Sequence, residues 1–109
     1  MNKLFSSKDL SKITQKFKKE KKKVALLHGV FDILHIGHIS YFEEIKKYSQ
    51  VLIISVTDDE YVNKGPGRPM FKIKERIKML SKLDLVDYVT VSKSETAEKI
   101  IREIKPNFY

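Results

Sequence analysis

The sequence predicts an α/β fold, a parallel sheet with helices on both faces. Three observations predict it. Short β-branched runs alternate with stretches whose apolar residues recur at helical spacing. The strongest run, Val51-Leu52-Ile53-Ile54-Ser55-Val56, is apolar on both faces, as a strand covered from both sides must be. The order, a helix and then alternating strands and helices with no internal repeat, argues a parallel sheet joined by right-handed crossovers.

Each element follows in order. Ser7 can cap a helix whose buried stripe is Leu10, Ile13 and Phe17. Lysines crowd its C-terminal end, where they suit the helix dipole. Val24-Ala25-Leu26-Leu27, followed by Gly29, reads as a buried strand. Residues 37–48 are helical, with Ile39, Phe42 and Ile45 on one stripe. The strong strand at 51–56 comes next, then a short helix from Asp58 to about Val62. Lys64-Gly65-Pro66-Gly67-Arg68-Pro69 is a loop by composition. Residues 72–83 form a helix with Ile73, Ile77, Leu80 and Leu83 on one face. Tyr88-Val89-Thr90-Val91 is a third strand. Ser94 or Thr96 caps a last helix carrying Ala97, Ile100, Ile101 and Ile104. Pro106-Asn107-Phe108-Tyr109 has the pattern of a fourth strand's entry, so the domain is expected to be truncated at its C-terminus.

Length and charge narrow the function. A chain of 109 residues suits one domain, and 41% apolar residues can build its core. No cysteine is present, which excludes a disulfide framework, a thiolate nucleophile and a Cys-based zinc site. No apolar run approaches the ~20 residues of a membrane helix, and the N-terminus lacks a signal peptide's apolar region. A soluble, cytoplasmic protein is expected. The formal charge is +8, which suggests a polyanion binder until it is mapped. Nine lysines and two acids give residues 1–23 a charge of +7. The remaining 13 basic and 12 acidic residues leave the body at +1. The expected division is a Lys-rich helix over residues 1–22 and the working domain over 23–109. The lysine run reads as a solvated helix end, with a polyanion-binding module, free of catalysis, as the alternative.

The first strand leads into His28-Gly29-Val30-Phe31-Asp32-Ile33-Leu34-His35-Ile36-Gly37-His38. His35 and His38 are three residues apart where a loop enters a helix, so both imidazoles share one side of the first turn. Free backbone N–H groups and the helix dipole favour phosphate there. Gly29 and Gly37 leave room for a phosphate to approach the backbone. The C-terminal edge of a parallel sheet is where such folds bind ligands. N–H donors aimed at an α-phosphate stabilise the charge that develops when it is attacked. A His pair could also ligate zinc, but the third ligand would have to be an acid. His28 lies on the strand itself and reads as structural.

Gly29-Val30-Phe31-Asp32 followed by His35-Ile36-Gly37-His38 resembles the signature of the cytidylyltransferase-like nucleotidyltransferase superfamily, which implies a Rossmann-like fold. Ser55-Val56-Thr57-Asp58-Asp59, Lys64-Gly65-Pro66-Gly67-Arg68-Pro69, Glu75-Arg76 and Val86-Asp87-Tyr88-Val89 are similar, in order, to one branch. That branch is the heptose 1-phosphate nucleotidyltransferases of surface-polysaccharide synthesis, with glycerol-3-phosphate cytidylyltransferases nearby. The resemblance covers roughly residues 9–109. It implies that His35 and His38 contact the triphosphate, that Gly29, Val30 and Phe31 line it through backbone groups, and that Asp32 orders the site. It also implies phosphate contacts for Gly37, Lys46 and Arg76, a place for Asp59 beside the nucleotide or acceptor, and an acceptor loop bearing Lys64 and Arg68. Lys46 has a plain alternative as a solvated lysine, and residues 64–69 as a solvated loop. Val30 stands where many relatives carry Thr or Cys. Relatives also continue past the Lys105-Pro106-Asn107 equivalent with segments that complete the nucleotide site, so residues 1–109 alone are expected to be weakly active or inactive.

The implied reaction transfers a nucleotidyl group from a nucleoside triphosphate to a small phosphorylated substrate and releases pyrophosphate. ATP with heptose 1-phosphate is the first expectation, and CTP with a polyol phosphate such as glycerol 3-phosphate the alternative. A flavin- or nicotinamide-precursor adenylyltransferase shares the first motif. Mg²⁺ is expected with the triphosphate, with no side-chain metal site, no nucleic-acid or membrane partner, and a homodimer by likeness to relatives. Lys78-Met79-Leu80-Ser81-Lys82 is similar to a signature of class I aminoacyl-tRNA synthetases, but Leu80 belongs to a core-facing helical stripe.

Overall fold

The computed structural model describes residues 2–63 and 65–109. Three parallel strands, β1 (Val24–Gly29), β2 (Val51–Thr57) and β3 (Tyr88–Ser92), form one sheet in that order. Helix α1 (Ser7–Lys19) precedes β1, α2 (Ile36–Lys46) links β1 to β2, α3 (Ile73–Ser81) links β2 to β3, and α4 (Glu98–Ile104) follows. A 3₁₀ turn at Asp59–Tyr61 leaves β2. The register pairs Val24 with Val51 and Ile53 with Tyr88.

Strand side chains alternate between two cores. Ala25, Leu27, Leu52, Ile54 and Val56 pack with Phe42 of α2 and Leu80 of α3. Val24, Leu26, Val51 and Ile53 pack on the other face with Leu10 of α1 and Ile100 and Ile104 of α4. Right-handed crossovers explain the layering. The chain steps one way across the sheet through α2 and α3, then reverses through α4, and the reversal puts α4 on the opposite face. That return is visible as a parallel bridge between Phe108 and Ala25 on the free edge of β1. Asn107 supports it, its Oδ1 accepting from Val24 N–H at 2.9 Å. At the far edge, Leu4 bridges Val89 of β3, with Phe5 N–H donating to Val89 O and Val89 N–H to Lys3 O.

Boundaries differ from the sequence-based expectations in places where local chemistry decides. The cap of α1 is Ser6, whose Oγ accepts from Asp9 N–H, not Ser7. Neither Ser94 nor Thr96 caps α4; Ser94 Oγ accepts from Thr96 N–H in a turn ahead of it. β1 runs two residues further, so that His28 and Gly29 pair with Ser55 and Val56. Helix α1 shares its core with α4 and the sheet, and its Leu10 is fully buried.

Candidate active site

The site is built where β1 ends. Phe31 takes a left-handed conformation (φ 53°) that costs on the order of 1–3 kcal/mol in a non-glycine residue. The turn folds its ring back over Gly29, where a β-carbon would lie 3.0 Å from Phe31 Cε2. The ring also packs against Phe42 and His38, with centroids 6.0 and 5.7 Å apart. Gly29 thus admits the Phe31 ring, a different use of its space from the expected phosphate approach.

His35 is the N-cap of α2. Its Nδ1 accepts from Gly37 N–H at 3.0 Å, and its own N–H donates to His38 Nδ1 at 3.2 Å. The two rings lie 4.1 Å apart, centroid to centroid. A neutral imidazole that accepts at Nδ1 carries its proton on Nε2, so this reciprocal cap selects one tautomer in both rings. Gly37 is required by the cap: a β-carbon there would stand 2.7 Å from His35 Cε1.

Asp32 ties the site to the loop after β2. Its carboxylate accepts from Met70 N–H and Phe71 N–H, both at 2.8 Å, and from Arg68 Nη1 at 3.2 Å. Burial opposes its charge, but these three donors outweigh it and hold the carboxyl below the ordinary value. Arg68 is thereby drawn to the wall of a cleft of about 420 Å³ that Phe31, Ile33, His35 and His38 also line. Lys64 lies outside the described residues.

Two expected phosphate ligands are placed otherwise. Arg76 is fully buried, with Nε on Phe71 O at 2.9 Å, Nη1 on Val30 O at 2.8 Å and on Thr57 O at 2.7 Å, and Nη2 on Asp59 Oδ1 at 2.7 Å. It fastens the loops after β1 and β2 together, and Asp59 is its counter-ion. Val30 meets it through the carbonyl. Lys46 closes the other end of α2, about 16 Å from its start at 1.5 Å per residue over 11 residues. There it pairs with Asp87 Oδ2 at 2.7 Å and donates to Gln50 O at 3.0 Å, away from both histidines.

A second cleft of about 530 Å³ runs along the free edge of β1 and shares Phe31 and His38 with the first. Leu27, Gly29, Tyr41 and Tyr109 contribute to it, and so does His28. His28 Nδ1 lies 3.0 Å from Ser55 Oγ. Burial pushes its pKa below the ordinary imidazole value, against a smaller opposite effect of a hydrogen bond with the Glu95 backbone. The sequence reading missed Tyr41, although its signal was present: it stands three residues after His38 and off the Ile39–Phe42–Ile45 stripe.

A parallel sheet reversing at β1, with a His-x-Gly-His helix start beside the reversal, defines an α/β domain of the phosphate-handling kind. Comparison with known proteins makes this specific. A model of the cytidylyltransferase-like family matches residues 26–109, and the chain belongs to that family, whose domain is a nucleotidyltransferase. It is 38% identical over 107 residues to the bifunctional protein HldE of Desulfatibacillum aliphaticivorans, covering 96% of this chain and 22% of that protein. It is 38% identical over 101 residues to the protein of the same name from Aliarcobacter butzleri, covering 91% and 21%. The chain thus spans about a fifth of the length of these curated relatives. Among solved structures, a lipopolysaccharide core biosynthesis protein from Thermoplasma volcanium superposes with a TM-score of 0.71 at 32% identity, over 79% of this chain and 70% of that one. A pantoate-beta-alanine ligase from Francisella tularensis, at 18% identity and a TM-score of 0.68 over 100% of this chain and 56% of that one, shares the fold.

Proposed function

We propose that the chain transfers an adenylyl group from ATP to a sugar phosphate of the heptose 1-phosphate kind. An acceptor phosphate oxygen attacks the α-phosphorus in line. The new P–O bond forms as the bond to the β-phosphate bridging oxygen breaks, and pyrophosphate leaves with the electron pair. The observation that carries this reading is the reciprocal cap of His35 and His38 over a cleft that also holds Arg68. The cap fixes the proton of each neutral ring on Nε2, so both rings can donate to phosphoryl oxygens as charge develops there. They need no rotation at the moment of reaction, because the backbone of α2 already holds them. The HldE relatives and the lipopolysaccharide core biosynthesis protein support the sugar-phosphate acceptor.

Mg²⁺ is proposed to travel with the triphosphate. Asp32, the carboxylate at the cleft, is committed to two backbone N–H groups and Arg68, and a metal carried on phosphate oxygens fits that donor set. Bound there, it would offset phosphate charge.

The test is pyrophosphate release by the natural polypeptide, with any residues beyond Tyr109 in place, across ATP, CTP, heptose 1-phosphate and glycerol 3-phosphate. His35→Ala and His38→Ala are each expected to lower the rate ~100-fold or more, as loss of a preorganised donor does. His35→Asn, a good N-cap, should restore stability without restoring the rate. Full activity in both alanine variants would overturn the mechanism, and a preference for CTP with glycerol 3-phosphate would overturn the substrates.

A further inference from the structure

Two clefts of different chemistry meet at His38 and Phe31. The first, on the Asp32 side, brings Arg68 and both histidines to its wall. Asp32 lines it too, but its carboxylate is held by Arg68 and two backbone N–H groups, so the N–H donors that remain on Arg68 and the imidazoles suit an anionic phosphate chain. The second, on the β1 edge, has no lysine, arginine or acidic side chain among the described residues that line it. Its polar members are His28, His38 and the phenols, and burial keeps His28 toward its neutral form. Its free wall on α2 is aromatic: Tyr41 is 55% exposed. Such a wall receives a neutral ring far better than a polyphosphate.

A nucleoside triphosphate has the same polarity. Its phosphates form one end, its base and ribose the other, and the α-phosphate lies between them. With the phosphates toward Arg68, the α-phosphate falls at His38, the shared wall, and the nucleoside falls along the β1 edge. That edge is also where the sheet reverses, between β1 and the Phe108 bridge. Tyr41 stands on α2 three residues beyond His38 and four beyond Gly37, so it shares their helix face.

We propose that Tyr41 is a nucleotide-binding residue, its ring forming the wall against which the nucleoside of the triphosphate packs. This rests on the nucleotidyl-transfer reading and adds to it a residue that the sequence signature does not contain. Stacking of a base on an aromatic ring depends on the ring face, so the phenol oxygen is secondary and phenylalanine can substitute.

The experiment compares the natural polypeptide with Tyr41→Ala, Tyr41→Leu and Tyr41→Phe. Steady-state pyrophosphate release gives KM for the nucleotide, KM for the sugar phosphate and kcat, while thermal unfolding monitors the fold. Tyr41→Ala and Tyr41→Leu are expected to raise nucleotide KM about tenfold or more. Acceptor KM should stay within about twofold, and Tyr41→Phe should stay close to the parent. Because Tyr41 is exposed, all three variants should fold, and the leucine variant retains bulk if the alanine variant does not. Unchanged nucleotide KM, or a rise confined to the acceptor, overturns the proposal. If no substrate pair yields pyrophosphate, nucleotidyl transfer itself fails. Equilibrium dialysis of ATP then decides Tyr41 separately: weaker binding by Tyr41→Ala than by Tyr41→Phe supports it, and equal binding by both overturns it.

Discussion

A β-carbon at Gly37 would lie 2.9 Å from His35 Nδ1, the atom that caps α2. Helix propensity alone predicts that alanine at an exposed helical glycine gains ~1 kcal/mol. The ring contact predicts a different balance. Gly37→Ala should leave the melting temperature nearly unchanged, the propensity gain offsetting the lost cap. It should lower pyrophosphate release about tenfold or more, because the displaced ring no longer presents its Nε2 proton. A variant with parental activity would show that the cap does not set the tautomer. The pair of histidines was legible from spacing and position. Their mutual lock was not, because histidine is an unusual N-cap and the hydrogen bonds depend on ring rotation. Arg76 was legible as a helix residue with the wrong role. The available signal was its place three residues after Ile73 and four before Leu80, on the buried stripe. A cation on that stripe must find acceptors inside, and it finds three carbonyls and Asp59. The Lys46–Asp87 pair spans 41 residues of sequence, and no local pattern announces it.

Between elements, one carboxylate joins two loops. Asp32 leaves the β1–α2 loop and receives the N–H groups of Met70 and Phe71 just ahead of α3. Its folded-state pKa is depressed, so its stabilising effect is fully present above the unfolded value of about 3.9 and is lost as pH falls through the folded value. Parent protein should therefore lose stability more steeply below about pH 4 than Asp32→Asn, which has no such titration. Urea unfolding midpoints between pH 7 and pH 3 measure this, and parallel acid arms would contradict the latch. At neutral pH the asparagine variant should be the less stable protein, since an amide accepts more weakly than a carboxylate and donates where donors already converge. The strands were legible because buried parallel strands are written in β-branched residues. Helix starts were less so: Ser6 and Ser7 are chemically equivalent caps, and only backbone geometry chooses between them.

At the scale of the whole molecule, the lysines of α1 and the core lie on opposite sides of that helix. Its lysines face outward, while Leu10 is fully buried with Val24, Leu26 and Ile104. Leu10→Ala is expected to destabilise the entire domain by about 2–5 kcal/mol, read as a single cooperative urea transition. A separate early transition for the N-terminal helix would instead show that it folds apart from the sheet. Periodicity made Leu10 legible as buried, but the partner of α1 was not, because α1 meets α4 across some 90 residues of chain. The pairing of Leu4 with Val89 has one more consequence. An unpaired parallel strand is a template on which a second copy can grow a continuous sheet. Here β3 is already occupied by its own chain, and the occupying stretch is a single bridge long with Lys3 beside it. Too short to be copied, it works as a stop codon for the sheet on that side, and association between copies through the β3 edge would first have to peel it away.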